Sequence, residues 1–254
     1  MGTRLVNLVI DSSRPRIVAD FWAALLGWEV AIDVPEEVDV RAPALDGWQL
    51  DLTFVPVPAA KEVKNRIHLD LASGSFADQK AKVDKAIRLG ARPAVIGQGE
   101  VPWVVLADPD GNEFCVLEPR PKYLSTGAVA AILVEAHDPF ALASFWAEAA
   151  EWPIGDRDEV IVSLRSPTGR GPWLVFLRTH DVKKTKNRVH LDVAPPLGED
   201  PAQETARLVG LGATPGDRGG LDLSWQVLID PEGNEFCLLS ARKCFSCVAR
   251  APEA

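Results

Sequence analysis

The residues best able to do chemistry sit in one short stretch that occurs twice. His68 lies within Lys64-Asn65-Arg66-Ile67-His68-Leu69-Asp70-Leu71, and His190 within Lys186-Asn187-Arg188-Val189-His190-Leu191-Asp192-Val193. Alternate residues of a strand share a face, so His68 and Asp70 point one way and Ile67, Leu69 and Leu71 the other. His190 and Asp192 repeat that arrangement. An imidazole beside a carboxylate has a fixed tautomer and can serve as an acid, a base or a metal ligand. A second group of candidates is aromatic. The chain has eight tryptophans and one tyrosine. Trp48, Trp103, Trp173 and Trp225 fall on predicted strands, where they suit the wall of a pocket for an apolar or planar ligand. Trp22 and Trp146 fall on predicted helices and read as core.

The positions of these residues follow from an internal repeat, which has to be found before any other feature is read. An offset of 122 residues carries His68 to His190, Trp103 to Trp225, and Gly111-Asn112-Glu113-Phe114-Cys115 to Gly233-Asn234-Glu235-Phe236-Cys237. Each copy is in turn two strand–helix–strands modules. Apolar residues at three- and four-residue spacings (Ile17, Phe21, Ala24, Leu25, Trp28) predict a helix that opens at Pro15 and stops at Gly27. A second helix is predicted over 76–89 with Phe76, Val83 and Ile87 in its stripe. Asp108-Pro109-Asp110-Gly111-Asn112 is a turn leading to the closing strand. The predicted organisation is a first domain over 1–120 (modules 3–57 and 64–119), a linker over 121–127, a second domain over 128–241 (modules 128–180 and 186–240) and a tail over 242–254.

Bulk properties narrow the classes. A formal charge of −9 argues against general nucleic-acid affinity, which needs a basic surface. No apolar run approaches a membrane span, and the first residues lack the regions of a signal peptide. The expectation is a cytoplasmic protein with reduced thiols. Cys115 and Cys237 read as buried strand thiols. Cys244 and Cys247 form a lone Cys-x-x-Cys in the tail, without the second pair that a zinc site needs.

The doubled pattern resembles the vicinal oxygen chelate superfamily, which includes glyoxalase I, bleomycin resistance proteins and extradiol dioxygenases. The closer resemblance is to actinobacterial glyoxalase-like domains. Asp11 to Pro15 with Phe21-Trp22-Ala23-Ala24-Leu25-Leu26-Gly27-Trp28 resembles their opening helix, and Asp108 to Phe114 their closing hairpin. The resemblance implies an α+β fold in which each copy folds its two βαβββ modules into one curved mixed sheet around a cup. It also implies that metal-dependent members take ligands from the first strand of each module and the last strand of the sheet. In copy one those positions give His68 and Glu118. The first-strand position near Val6 offers no ligand type, and Asp51 is the nearest carboxylate on the middle strand. In copy two His190 recurs, but Ser240 stands where Glu118 would.

Two readings follow. The first is a binder of a small apolar or aromatic molecule, with Trp48, His68, Asp70, Trp103, Glu118, Trp173, His190 and Trp225 as contacts and no cofactor. The alternative is a lyase, isomerase or dioxygenase using a divalent metal on His68 and Glu118, which would also be the catalytic pair. A third role is a structural pseudo-dimer. The expected partner is a small molecule, not nucleic acid or a membrane, and the assembly a monomeric pseudo-dimer or a homodimer. Asn65-Arg66 and Asn187-Arg188 are expected to serve the fold by pairing modules.

Overall fold

A computed structural model describes residues 2–43, 50–217 and 225–240. Module one holds β1 (Arg4–Ser12), α1 (Pro15–Leu26), β2 (Glu29–Val34), β3 (Glu37–Arg41) and β4 (Asp51–Pro56). Module two holds β5 (Ile67–Leu71), α2 (Phe76–Arg88), β6 (Arg92–Pro93), β7 (Val104–Ala107) and β8 (Glu113–Val116). Copy two repeats the order. Module three has β9 (Val129–Ala136), α3 (Pro139–Ala150), β10 (Ile154–Arg157), β11 (Ile161–Arg165) and β12 (Trp173–Arg178). Module four has β13 (Val189–Ala194), α4 (Pro201–Gly210), β14 (Thr214–Pro215), β15 (Gln226–Ile229) and β16 (Glu235–Leu238). Among the described residues no helix is long and apolar enough to cross a membrane.

Local chemistry accounts for the helices. Pro15 presets the first turn of α1, and Gly27 closes it in the left-handed conformation at φ 75°. Ser75 and Asp138 accept backbone N–H bonds at the starts of α2 and α3. Three residues assigned to apolar stripes are exposed instead: Ile17 by 50%, Phe76 by 68% and Ile87 by 45%. Periodicity marks the side of a helix, but how far the sheet beneath it extends decides which residues are covered.

The sheets depart from the expected pairing. Sheet one runs β14-β15-β16-β13-β1-β4-β3-β2, and sheet two runs β10-β11-β12-β9-β5-β8-β7-β6. Each is mixed and eight-stranded, and each joins one module from each copy. The junctions are antiparallel pairs, β1 with β13 and β5 with β9. The two modules of one copy therefore lie in different sheets. What joins them is helix against hairpin. Trp22 of α1 packs on Phe114 of β8 with ring centroids 5.0 Å apart, and its Nε1 donates to Asp108 Oδ2 at 3.2 Å. Trp146, Phe236 and Asp230 repeat this at 5.2 Å and 3.2 Å. Burial is the main cause of the raised pKa of both Asp108 and Asp230. A first strand with a free edge can accept either copy's partner, so strand pairing is left to the connections and the polar contacts between copies.

Those contacts explain the repeated Asn-Arg. Arg66 Nη1 donates to the carbonyl of Asp181 at 2.8 Å and Nη2 to that of Glu135 at 2.9 Å. Arg188 returns the contact from copy two, to Ala59 and Asp11, both at 2.7 Å. Asn65 and Asn187 donate to Asn112 and Asn234 at 3.0 and 2.9 Å, tying each turn to the strand that carries the histidine. The expected module-pairing role is what the structure shows.

The packed face of the sheets holds the core. Leu8, Leu52, Phe54, Leu191 and Phe236 in sheet one, and Ile132, Phe114, Leu174 and Phe176 in sheet two, are fully or almost fully buried. Alternation then sends His190 and Asp192, or His68 and Asp70, to the opposite face.

Candidate metal centres on the two sheets

The opposite face of each sheet gathers three side chains of metal-ligand type. In sheet two they are His68, Asp70 and Cys115; in sheet one, His190, Asp192 and Cys237. Within each group one ligand atom per residue lies within 4.8 Å of the others. The register makes this arrangement. Parallel pairing places Asp70 beside Cys115 and Asp192 beside Cys237, while each histidine lies two residues earlier on the same face. His68 Nε2 is 3.6 Å from Asp70 Oδ1, and His190 Nε2 is 3.4 Å from Asp192 Oδ1. Cys237 Sγ lies 3.8 Å from His190 Nε2.

Burial sets the protonation of these groups. It pushes His68 down to about 4, with help from Lys64, and His190 down to about 3, with help from Lys186. It raises Asp70 to about 7. It also pushes both thiols up, and the neighbouring Asp70 and Asp192 carboxylates add to the effect. Burial thus disfavours a charged imidazole and a thiolate in each group, and a cation entering would be met by neutral imidazoles and by thiols that give up protons.

The two groups face different surroundings. Across the sheet-two junction, His68 is opposite Leu133 and Asp70 opposite Ala131. Their next neighbours are Val175 and Trp173. In sheet one, His190 is opposite Val9 and Asp192 opposite Asn7, followed by Thr53 and Asp51 and then Asp39 beside Thr53. Asp39 is buried, its Oδ1 lacks a hydrogen-bond partner, and desolvation raises its pKa to about 6. Arg41 pairs with Asp51.

Sheet two is also strapped by the linker. A short 3-10 turn, Pro121–Tyr123, lays Tyr123 into an apolar cluster with Cys115, Val105 and Leu117, flanked by Trp103 and Trp173. Lys122 Nζ stands 4.3 Å above the Trp173 ring and bonds Ser163 Oγ at 3.1 Å and Asp156 at 3.0 Å. The Arg120 guanidinium lies 5.6 Å from the Trp103 ring.

Several anticipated site residues take other places. Glu118 pairs with Arg120 at 2.6 Å; burial pushes its carboxyl up, and the bond to and charge of Arg120 outweigh this and hold it below the usual glutamate range. No group of three metal-type ligands among the described residues includes Glu118. The strand turns its side chain to the strap, and Cys115 takes the place beside His68. Trp103 and Trp173 do share a face near His68, but their rings carry the strap's cations. Trp225 is 36% exposed, just ahead of β15. Trp48, Cys244 and Cys247 lie outside the described residues. The expected metal ligands are His68 and Glu118 alone; Asp70 and His190 are expected only as contacts to a small molecule, Asp192 is not among the expected site residues, and the candidate ligands read as plain strand thiols are Cys115 and Cys237. Their signal was the offset of 122 that they share with the histidines.

A family model described as a glyoxalase-like domain matches residues 7–117 and again 131–239. No curated protein sequence matches the chain. Among solved structures, glyoxalase I from Zea mays is similar with a TM-score of 0.63 at 14% identity, over 94% of this chain and 92% of that one. A V278E mutant of the same enzyme gives 0.65 at 15%, over 94% and 92%. A putative dioxygenase from Bacillus subtilis subsp. subtilis str. 168 gives 0.63 at 14%, over 96% and 87%. At these identities the likeness is one of fold.

Proposed function

Because the chain belongs to the glyoxalase-like domain family, we propose that it is a divalent-metal-dependent isomerase or lyase whose metal is held by a His–Asp–Cys group. The recurrence of that group on both sheets carries the reading. The donor set fits a borderline cation such as zinc: an imidazole nitrogen, a carboxylate oxygen and a sulfur. A buried atom fits it too, since Asp70 Oδ1 has no hydrogen-bond partner. A thiolate ligand disfavours the dioxygenase branch. Iron that activates oxygen is usually held by two histidines and a carboxylate.

In this reading the opposite face of each sheet is the wall of the family's cup. His68 and His190 supply neutral imidazoles at neutral pH, ready to bind without losing a proton. Asp70 and the cysteines release protons as they bind. A bound divalent ion would polarise a substrate oxygen. Leu133, Ala131 and Val175 keep water from the sheet-two group, which strengthens any electrostatic effect there.

The apolar-ligand reading has less support. Trp103 and Trp173, its main walls, are engaged by Arg120 and Lys122 of the chain itself.

Metal analysis after loading with zinc, nickel, manganese or ferrous iron tests the proposal. Two equivalents per chain are expected, with one lost in His68→Ala and one in His190→Ala. Cobalt substitution should give a sulfur-to-metal charge-transfer band that is halved in Cys115→Ser. Protein that takes up no stoichiometric metal would overturn the reading.

A further inference from the structure

A cavity of about 530 Å³ lies between the copies, walled by the two connecting segments around 57–66 and 181–188. It is separate from both His–Asp–Cys groups and large enough for a small organic molecule. The cations around it are unequally compensated. Lys186 is held by Asp11 at 2.6 Å, and Lys64 by Glu135 at 2.6 Å and Asp181 at 3.1 Å. Arg66 has the Glu232 carboxylate at 3.4 Å. Arg188 has no carboxylate in ion-pair range among the described residues. Its Nη atoms donate to backbone carbonyls, and its buried Nε has no partner.

The difference between the copies adds a second cation without an ion pair, although the Asp181 and Glu62 carboxylates line the same cavity and Asp181 feels its charge. Lys184 lines the cavity without an ion-pair partner among the described residues, while the equivalent position of copy one is Glu62. A guanidinium stays charged at any physiological pH, and a part-buried one without a counter-charge is costly. The rest of the wall includes Val57, Val63 and Val182.

We propose that this cavity binds a small organic anion, an oxyanion on a short apolar body, with its charge between Arg188 and Lys184 and its body against the valines. Such a ligand would cross-link the copies at their polar clasp. A guanidinium fork matches carboxylate and phosphate alike, so the two sources share one chemistry.

Calorimetric titration of the full, metal-stripped chain with hexanoate, hexyl phosphate and inorganic phosphate tests this. The first two are expected to bind at one per chain, and inorganic phosphate more weakly. Lys184→Glu, at an exposed position, should weaken hexanoate by about tenfold, a change of about 1.4 kcal/mol. Glu62→Lys should strengthen it. Whichever of hexanoate and hexyl phosphate binds more tightly identifies the oxyanion. Absence of binding at millimolar concentration, or affinity indifferent to both charge changes, overturns the proposal. Inorganic phosphate binding as tightly as hexyl phosphate overturns its apolar half. Metal content plays no part in the readout, so failure here is distinct from failure of the metal reading.

Discussion

Across the sheet-two junction His68 and Asp70 look at Leu133 and Ala131, whereas across the sheet-one junction His190 and Asp192 look at Val9 and Asn7. Beyond these, sheet two continues with Val175 and Trp173, and sheet one with Thr53, Asp51 and Asp39. The triads are the same and the opposing halves are not. The second module of each copy carries the same three ligand-type residues, while the first modules place different residues beside them. One group now has an apolar opposing half sealed by Tyr123, and the other a polar half. The same three side chains can thus be tuned separately, because the module across the junction comes from the other copy.

The largest expected effect tests how far the copies are equivalent at all. Phe114→Ala and Phe236→Ala each remove a fully buried ring from a tryptophan stack. Each should cost about 3–5 kcal/mol in urea unfolding. Similar losses confirm that the scaffold is duplicated and that only the faces differ. A gap well beyond 1 kcal/mol would place the asymmetry in the core instead.

Acid stability tests next whether the two groups share their buried, neutral imidazoles. A histidine whose folded pKa is lowered binds fewer protons folded than unfolded, so stability is lost as pH falls through the window between the two values. In metal-free protein that window runs from about 6.5 to about 4 for His68, and from about 6.5 to about 3 for His190, at about 1.4 kcal/mol per pH unit for each. Asp70 has the opposite slope. Its raised pKa makes stability fall as pH rises from about 3.8 to about 7. Urea midpoints across pH should therefore show that His68→Gln and His190→Gln each flatten the acid limb. Asp70→Asn should lessen the decline toward neutrality, leaving the part that Asp39, raised to about 6, contributes with the same sign. An acid limb left unchanged by either histidine variant would contradict the burial of that imidazole.

How much of this was legible in the sequence differs by level. The modules were readable because one offset carries histidines, tryptophans and the Asp-Pro-x-Gly-Asn turns together. The α1 boundaries followed from Pro15 and Gly27. Sheet partnership was not readable, since β5 and β13 carry nearly the same residues and either could satisfy the free edge of β1. Of the candidate ligands, His68 followed from the family resemblance, and strand parity placed Asp70 on its face as a neighbour, not as a metal ligand. Cys115 needed the parallel pairing of β8 on β5, which only the assembled sheet provides. Glu118 was misplaced for the same reason: it lies beyond the paired residues, where Arg120 holds it.

Tyr123 lets the strap be tested directly. Cys115 is 5% exposed beneath it, while Cys237 is part-exposed. Tyr123→Ala opens the apolar cluster at an expected cost of about 2–4 kcal/mol. Alkylation mapped by peptide mass should then be faster at Cys115, with Cys237 unchanged. If both rates rise together, the strap stabilises the whole molecule and does not specifically seal sheet two.

The smallest effect isolates the cation on the strap. Lys122 loses a contact with the Trp173 ring and bonds to Asp156 and Ser163 when changed to alanine. The side chain is partly solvated, so a cost of about 1 kcal/mol is expected. Lys122→Arg should recover most of it, because a guanidinium stacks on an indole at least as well as an ammonium does. Tryptophan fluorescence gives a readout that general destabilisation would not move: removing the cation should change the Trp173 emission at denaturant concentrations where the protein remains folded. Lys122→Ala with unchanged emission would mean that Tyr123 alone holds the strap, and the contrast between the sheets would then rest on its packing.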